Sequence, residues 1–147
     1  MNATELAQVT TDRSGKKILE FLSVLETKEV DNLLNIWHED GMIEFPFSHK
    51  AVPGLEHPKL ISLQVIYKVF QDVIKGKDFV FKNIEVFPMK DPDYVYTECF
   101  CGLTQLDFGI KYANRYCFLA HVPDGKILLF REYFHALIRQ NFEANGF

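Results

Sequence analysis

The second half of the chain is a succession of four segments rich in β-branched and aromatic residues. They read FVFKNIEVF, DYVYTECFCGLTQL, KYANRYCFLAHV and KILLFREYF, and turn-forming residues separate them. Asp124-Gly125, between two apolar runs, is typical of a β-hairpin. Four such segments in a row predict an antiparallel sheet, so the preceding residues must cover one of its faces.

The first half of the chain shows helical spacing instead. Ser14 is a candidate cap for a helix whose apolar stripe is Ile18, Phe21, Leu22 and Leu25. Thr27 is a candidate cap for a second helix that ends at Gly41, with a stripe of Val30, Leu33, Leu34 and Trp37. A short strand over residues 42–47 and a third helix from Pro58 to about Lys75 follow.

Helices first and strands after predict an α+β fold, with helices packed against a curved sheet. The absence of a linker or repeat predicts a single domain over residues 1–147, in which residues 1–13 form a flexible or extended tail. A net charge of −4 without a basic block predicts no binding to nucleic acid.

The chain is also expected to avoid membranes, because its apolar runs are far shorter than the roughly 20 residues that span a bilayer. The N-terminus has no apolar stretch typical of a secretory signal. An odd number of cysteines, three, gives no disulfide framework. These features together predict a cytoplasmic protein.

The last strand carries the most informative residue. Period-2 alternation places Leu128, Phe130, Glu132 and Phe134 on one face, where Glu132 is the only ionisable group. If that face is buried, desolvation raises the carboxyl pKa, and Glu132 becomes a candidate proton shuttle. The alternative is a structural acid that an arginine or a hydrogen bond satisfies, and the sequence leaves both open.

Other residues with chemical potential have simpler interpretations. Cys99 and Cys101 point the same way from one strand and are interpreted as small apolar wall residues, since no histidine is placed to activate them. The five histidines lack ligand spacing, so no metal site is predicted. His135 fits the start of a helix or the rim of a site.

Two motifs resemble those of SnoaL-like proteins of the nuclear-transport-factor-2-like (NTF2-like) superfamily. The segment NRYCFLAHVPDGKILLFREYFHAL is similar to their final hairpin, and HEDGMIEFPF is similar to their first strand. The resemblance implies a cone-like, curved, mostly antiparallel sheet packed against three N-terminal helices around a central pocket. It also implies a homodimer formed through the outer sheet face.

Members of this superfamily have diverse functions, including those of ketosteroid isomerases, polyketide cyclases, limonene-epoxide hydrolases and phenazine-biosynthesis A/B proteins. Cys99 and Cys101 stand where the limonene-epoxide hydrolases have two members of their triad, so that reaction is not expected. Glu132 matches a proposed acid/base glutamate of the phenazine A/B proteins, whose helix histidine has no counterpart here. Ser62, Gln64 and Tyr67 lie near that place instead.

The strand faces and the resemblance predict one cavity, lined by Trp37, Phe45, Tyr67, Cys99, Cys101, Asn114, Tyr116, Phe130, Glu132 and Phe134. The first hypothesis is an isomerase or cyclase that needs no cofactor and acts on a hydrophobic small molecule. Glu132 moves the proton, and Tyr116, Tyr67 or Asn114 stabilises oxyanion charge. The alternatives are a non-catalytic binding or carrier protein and a phenazine A/B-like condensation or isomerisation protein.

Overall fold

The computed structural model describes residues 1–51, 53–107 and 109–144. The chain opens with two helices, α1 (Ala3–Val9) and α2 (Arg13–Thr27). The predicted tail over residues 1–13 is wrong, because Asn2 and Glu5 form a capping box that starts α1. Thr4 ties α1 to α2 through backbone and hydroxyl hydrogen bonds of 2.9 Å to the carboxylate of Glu26.

Helix α2 carries the apolar stripe expected from its sequence, and Ile18, Phe21, Leu22 and Leu25 are all buried. Its cap is Asp12, whose carboxylate accepts a 2.7 Å hydrogen bond from the N–H of Gly15. The predicted cap, Ser14, is instead buried and donates to the carbonyl of Pro92.

The second predicted helix, over residues 27–41, is mostly wrong. A 3₁₀ turn (Val30–Asn32) leads into a short helix α3 (Leu33–Ile36), and strand β1 (Trp37–Glu44) follows at once. Gly41 lies within this strand, where an added Cβ would come 2.6 Å from the ring of Trp37. Its role is therefore close packing at a strand irregularity and not the end of a helix.

The third predicted helix begins later than Pro58. Strand β2 (Lys59–Ile61) pairs antiparallel with the end of β1, and helix α4 (Leu63–Val73) follows. Ser62 caps α4 by accepting a 3.3 Å hydrogen bond from the N–H of Val65. The pairing with β1 explains why the residues just after Pro58 are extended and not helical.

The four predicted strands are confirmed. They are β3 (Lys77–Pro88), β4 (Tyr94–Gln105), β5 (Ile110–His121) and β6 (Ile127–Phe134), and helix α5 (Ala136–Ala144) ends the described chain. Asp124 and Gly125 turn between β5 and β6 with φ of 52° and 77°. The sheet order is β2-β1-β6-β5-β4-β3, and only the β1–β6 pair is parallel.

The curled sheet has an apolar inner face, against which α2 and α4 pack. The predicted alternation is confirmed on β4 and β5, since Val95, Thr97, Cys99, Cys101, Asn114, Tyr116 and Phe118 are all buried. The architecture is therefore α+β, with an open, mostly antiparallel sheet. None of the described helices is long and apolar enough to cross a membrane.

The core beneath the sheet is organised around one aromatic ring. Phe21 of α2 makes edge-to-face contacts with Trp37, Phe70 and Phe130, at centroid distances of 5.2, 5.4 and 5.1 Å. These rings join the helices to β1 and β6. Phe21, Phe70 and Phe130 also line the space between the helices and the inner face of the sheet.

Candidate functional site

A cavity of about 320 Å³ lies between the inner face of the sheet and the helices α2, α4 and α5. This volume is at the lower end of the roughly 300–1,000 Å³ usual for small-molecule sites. Most of its lining is apolar, and the polar or charged lining residues are Lys77, Tyr112, Tyr116, Glu132, Arg139 and Glu143.

Glu132 enters this cavity because β6 alternates. Phe130 also lines the cavity from β6, and Phe118 of β5 pairs directly with Glu132. The Glu132 carboxylate makes no hydrogen bond or ion pair with any residue that the structure describes. Burial among these groups raises the pKa of Glu132 to about 7, and the positive charge of Arg139 opposes that rise.

A pair of tyrosines on β5 supplies hydroxyl groups to the same cavity. The hydroxyl oxygens of Tyr112 and Tyr116 are 3.0 Å apart. Asn114 donates its Nδ2–H to the Tyr112 oxygen at 2.7 Å. The Tyr112 oxygen has a second lone pair, so either tyrosine can donate to the other.

Tyr116 lines the cavity with its hydroxyl group. Burial raises the pKa of Tyr116 well above its ordinary value, with the Glu132 charge adding to the rise, so this hydroxyl stays a donor across the neutral range. Asn114 fixes the arrangement, since its amide also bonds the backbone N–H and carbonyl of His135 at 3.2 and 3.0 Å.

Helix α5 covers one end of the cavity and carries two charged lining residues. Arg139 donates through Nε to Glu143 at 3.2 Å, one helical turn further on. Its guanidinium carbon lies 5.2 Å from the ring centroid of Phe134 and 5.9 Å from that of Tyr112. Phe142, also on α5, contacts the Tyr112 ring at 4.7 Å.

The loop after β1 meets this helix. Nε2 of His49 lies 3.0 Å from a Glu143 oxygen, and Nζ of Lys50 lies 3.6 Å from the same oxygen. Phe47 packs on Tyr133 at 5.1 Å. Loop and helix together close the cavity at the end where Arg139 lies.

Half of the site residues predicted from the sequence line this cavity: Phe45, Cys101, Tyr116, Phe130 and Glu132. Glu44 alternates away from them, as its place between Ile43 and Phe45 predicts. It is buried against Arg131, with 2.9 Å between the Arg131 Nε and a carboxylate oxygen.

The structure places the other predicted site residues outside the lining. Trp37 is only 1% exposed and packs behind Phe21. Tyr67 points from α4 toward the surface, where its hydroxyl donates to Asp31 at 2.6 Å. Both residues were misplaced because the predicted secondary structure was wrong there: Trp37 begins strand β1, and helix α4 starts only after β2.

Three more predicted residues support the cavity from behind. Cys99 is buried on the inner face beside Tyr116, and Asn114 holds Tyr112. Phe134 lies under the guanidinium of Arg139. Neighbouring side chains cover all three, so correct strand faces did not suffice to place them at the cavity wall.

Tyr112, Arg139 and Glu143 were missed by sequence reasoning. Tyr112 shares its strand face with Asn114 and Tyr116, so alternation could have included it. Arg139 and Glu143 form an i, i+4 pair, which in a sequence is typical of an exposed helix face. No sequence signal placed α5 over the sheet.

The cysteine thiols have the character of wall residues. Burial raises the pKa of Cys101 to about 12 and also raises that of Cys99. Both thiols therefore stay protonated and are poor nucleophiles. Among the described residues, no group of three or more His, Cys, Asp or Glu side chains is placed to hold a metal ion.

Two curated proteins are similar in sequence to most of the chain. The uncharacterised protein YesE of Bacillus subtilis is 21% identical, over 86% of this chain and 84% of its own. An uncharacterised PhzA/B-like protein of Pseudomonas aeruginosa is 25% identical, over 90% of this chain and 91% of its own. No protein-family model matches the sequence.

Solved structures show the same architecture. A Bacillus subtilis protein provisionally named an isomerase superposes with a TM-score of 0.76 at 22% identity, covering 100% of this chain and 99% of that one. A phenazine biosynthesis-related protein of Pseudomonas aeruginosa gives a TM-score of 0.71 at 18% identity, over 95% of this chain and 83% of that one.

An NTF2-like protein of Burkholderia xenovorans gives a TM-score of 0.70 at 14% identity, over 90% of this chain and 96% of that one. These likenesses agree with the resemblance carried by the final hairpin and the first strand. The chain therefore has the NTF2-like fold that SnoaL-like and PhzA/B-like proteins share.

Proposed function

We propose that the chain binds a hydrophobic, carbonyl-bearing small molecule in this cavity and catalyses a proton transfer of the isomerase or cyclase type without a cofactor. The observation that carries the proposal is the state of Glu132. It lines a largely apolar cavity, and burial raises its pKa to about 7. Such a carboxyl is ionised and protonated in comparable amounts near neutral pH, which suits both a general base and a general acid.

The proposed reaction uses Glu132 and Tyr116 in turn. The Glu132 carboxylate removes a proton from the carbon beside the substrate carbonyl, and the electron pair of that C–H bond moves onto the carbonyl oxygen. The Tyr116 hydroxyl donates a hydrogen bond to the resulting enolate oxygen. Glu132, now protonated, returns the proton to a different carbon of a conjugated enolate, which completes an isomerisation. In a cyclisation the enolate carbon instead attacks a second carbonyl, and the alkoxide formed there takes the proton from Glu132.

The surroundings support these roles. The apolar lining strengthens a hydrogen bond to developing charge, because competing water is scarce there. The names of two structural neighbours, a provisional isomerase and a provisional polyketide cyclase, are compatible with this chemistry. The PhzA/B-like relatives support a related variant, a condensation or isomerisation, although α4 offers no histidine to accompany Glu132.

We also propose a homodimer formed through the outer sheet face. Val80 and Phe87 of β3 lie on that face and are both 43% exposed, so a second copy of the chain could cover them. Size-exclusion chromatography with light scattering is expected to give twice the chain mass of 17.1 kDa. A monomer at micromolar concentration contradicts the dimer and leaves the cavity chemistry untouched.

Proton transfer can be tested without knowing the natural substrate. The protein is incubated in D₂O at neutral pH with 2-tetralone, an apolar bicyclic ketone, and deuterium uptake beside the carbonyl is followed by proton NMR. We expect the wild-type protein to accelerate uptake and Glu132→Gln to abolish the acceleration while ketone binding is kept. The matched control is Glu39→Gln, an exposed carboxyl of β1, which is expected to behave like wild type.

A non-catalytic binding or carrier protein is the second candidate. The largely apolar lining and the unreactive cysteines favour it, because both serve ligand retention without chemistry. Native mass spectrometry of freshly purified protein separates the two candidates when combined with the exchange assay. A copurified ligand together with no exchange above the uncatalysed rate favours the carrier.

A further inference from the structure

We propose that Arg139 and Lys77 form a carboxylate-binding site at the end of the cavity covered by α5, so that the ligand is an apolar carboxylic acid bound in its ionised form. This inference rests on the proposed function, since it uses the same cavity. It adds the polar end of the ligand, which Glu132 and Tyr116 leave undefined.

Arg139 is held in place as a binding group requires. Its Nε donates to Glu143, and its guanidinium carbon lies 5.2 and 5.9 Å from the ring centroids of Phe134 and Tyr112. A guanidinium fixed in this way loses little conformational freedom when it binds. The planar fork can hold both oxygens of a carboxylate at once.

Lys77 lies at the same end of the cavity. The inner face of β3 carries Lys77, Phe79 and Phe81, and all three line the cavity. Phe79 pairs with Leu103, which pairs with Tyr112, the residue that Arg139 contacts. Lys77 is two residues further along β3 and lines the cavity at the same end of the strands as Tyr112, two strands away from β5.

The charges at this end are unbalanced. Glu143 is the only described carboxylate within ion-pair distance of Arg139, and it is shared with His49 and Lys50. Lys77 makes no ion pair with any described residue. Glu132 also lines the cavity but lies beyond ion-pair distance of both cations and is largely neutral below pH 7. Positive charge therefore exceeds negative charge at this end of the cavity.

A carboxylate fits this excess better than a phosphate does. One carboxylate supplies a single negative charge, and the rest of such a ligand can fill the largely apolar cavity. A phosphate monoester carries nearly two charges at neutral pH and three acceptor oxygens. The second charge and third oxygen of a phosphate exceed what the Arg139 fork and one lysine can pair with.

The test compares aryl carboxylates with the matching alcohols by isothermal titration calorimetry at pH 6.0, where Glu132 is largely neutral and the ligands are ionised. The pairs are benzoate with benzyl alcohol, 2-naphthoate with 2-naphthylmethanol, and 4-biphenylcarboxylate with 4-biphenylmethanol. We expect the carboxylate to bind more tightly by about tenfold or more in at least one pair, as charge-assisted hydrogen bonds predict. Arg139→Leu is expected to remove that preference, and Arg139→Lys to keep part of it.

Two variants separate this inference from the catalytic proposal. Glu132→Gln is expected to keep the carboxylate preference, because it removes no cation. Lys50→Gln, on the exposed loop, is expected to change the preference little. Circular dichroism of Arg139→Leu checks that α5 is retained; if that variant is misfolded, Lys77→Gln replaces it and is expected to weaken the preference.

Equal binding of acid and alcohol in every pair, or no binding of any carboxylate, overturns the inference. A preference for phenyl phosphate over all carboxylates also overturns it. None of these results bears on the exchange of 2-tetralone, whose failure counts against the catalytic proposal alone. A preference for carboxylates that Arg139→Leu leaves intact assigns the site to other residues and overturns the inference too.

Discussion

Glu132→Gln is expected to stabilise the folded protein at alkaline pH and not at acidic pH. The carboxyl has a pKa of about 7 in the folded chain and 4.5 as its ordinary value in the unfolded chain. Below pH 4.5 the carboxyl is neutral in both states and does not lower the free energy of unfolding. As the pH rises from 4.5 to 7 the unfolded chain loses the proton first, so ionisation favours unfolding.

The loss of stability caused by ionised Glu132 reaches its full value above pH 7. At about 1.4 kcal/mol per pH unit, the interval between the two pKa values corresponds to about 3–4 kcal/mol. That figure is an upper bound, because water in the cavity would screen the charge. Glutamine has nearly the same shape and no charge, so the stability of Glu132→Gln relative to wild type is expected to rise by about 2–3 kcal/mol between pH 4.5 and 8.5.

Urea unfolding measures this directly, with the fluorescence of Trp37 as the probe. Trp37 is the one tryptophan of the chain and is 1% exposed, so its emission reports loss of the core. Glu39→Gln at an exposed position of β1 is the control and is expected to shift stability by less than about 0.5 kcal/mol at either pH. A stability difference for Glu132→Gln that is the same at both pH values refutes the reasoning.

Three further predictions concern the core, the tyrosine pair and the cavity charge. Phe21→Ala is expected to destabilise the fold by about 3–5 kcal/mol in urea, because the ring contacts three aromatic neighbours; a loss below 1 kcal/mol contradicts that core. Asn114→Ala is expected to lower the free energy of unfolding by about 1–3 kcal/mol. It is also expected to speed amide hydrogen exchange in α5, because Asn114 bonds the backbone of His135 just before this helix. Unchanged exchange contradicts a role of Asn114 in holding α5. Arg139→Leu is expected to raise the pKa of Glu132 above 7, as measured by carbon-13 NMR, because the positive charge of Arg139 lowers that pKa in the wild type. A lower pKa of Glu132 in the variant contradicts this effect of Arg139.

The sheet could be predicted from the sequence because its signals are local. Period-2 alternation in β4, β5 and β6 is set by the chain itself, and Asp124-Gly125 fixes one hairpin. The same alternation directed Glu132 into the cavity and Glu44 out of it. Both assignments needed only the knowledge of which face is buried.

The N-terminal half was harder because its helical spacing has two explanations. Val30, Leu33, Leu34 and Trp37 fit a helix, yet the chain leaves the helix after Ile36. Pairing of Trp37 with Ile127 of β6 decides the matter, and no local pattern records a partner so far along the chain. Tertiary contacts there override local propensity.

The candidate site was half predictable for a related reason. Phe45, Cys101, Tyr116 and Phe130 were found because a strand face determines them. Arg139 was not found, because a charged residue on an amphipathic helix is usually exposed. Its place over the cavity depends on how α5 packs, through Phe142 and Tyr112 among other contacts.

The most direct measurement of the central claim is a carbon-13 NMR titration of the Glu132 carboxyl between pH 3 and 10. Labelled glutamate is incorporated, and the signal is assigned as the one that Glu132→Gln lacks. If burial in this cavity prepares Glu132 for proton transfer, its pKa lies near 7. A pKa close to its ordinary value of 4.5 contradicts the proposed role of Glu132 as acid and base.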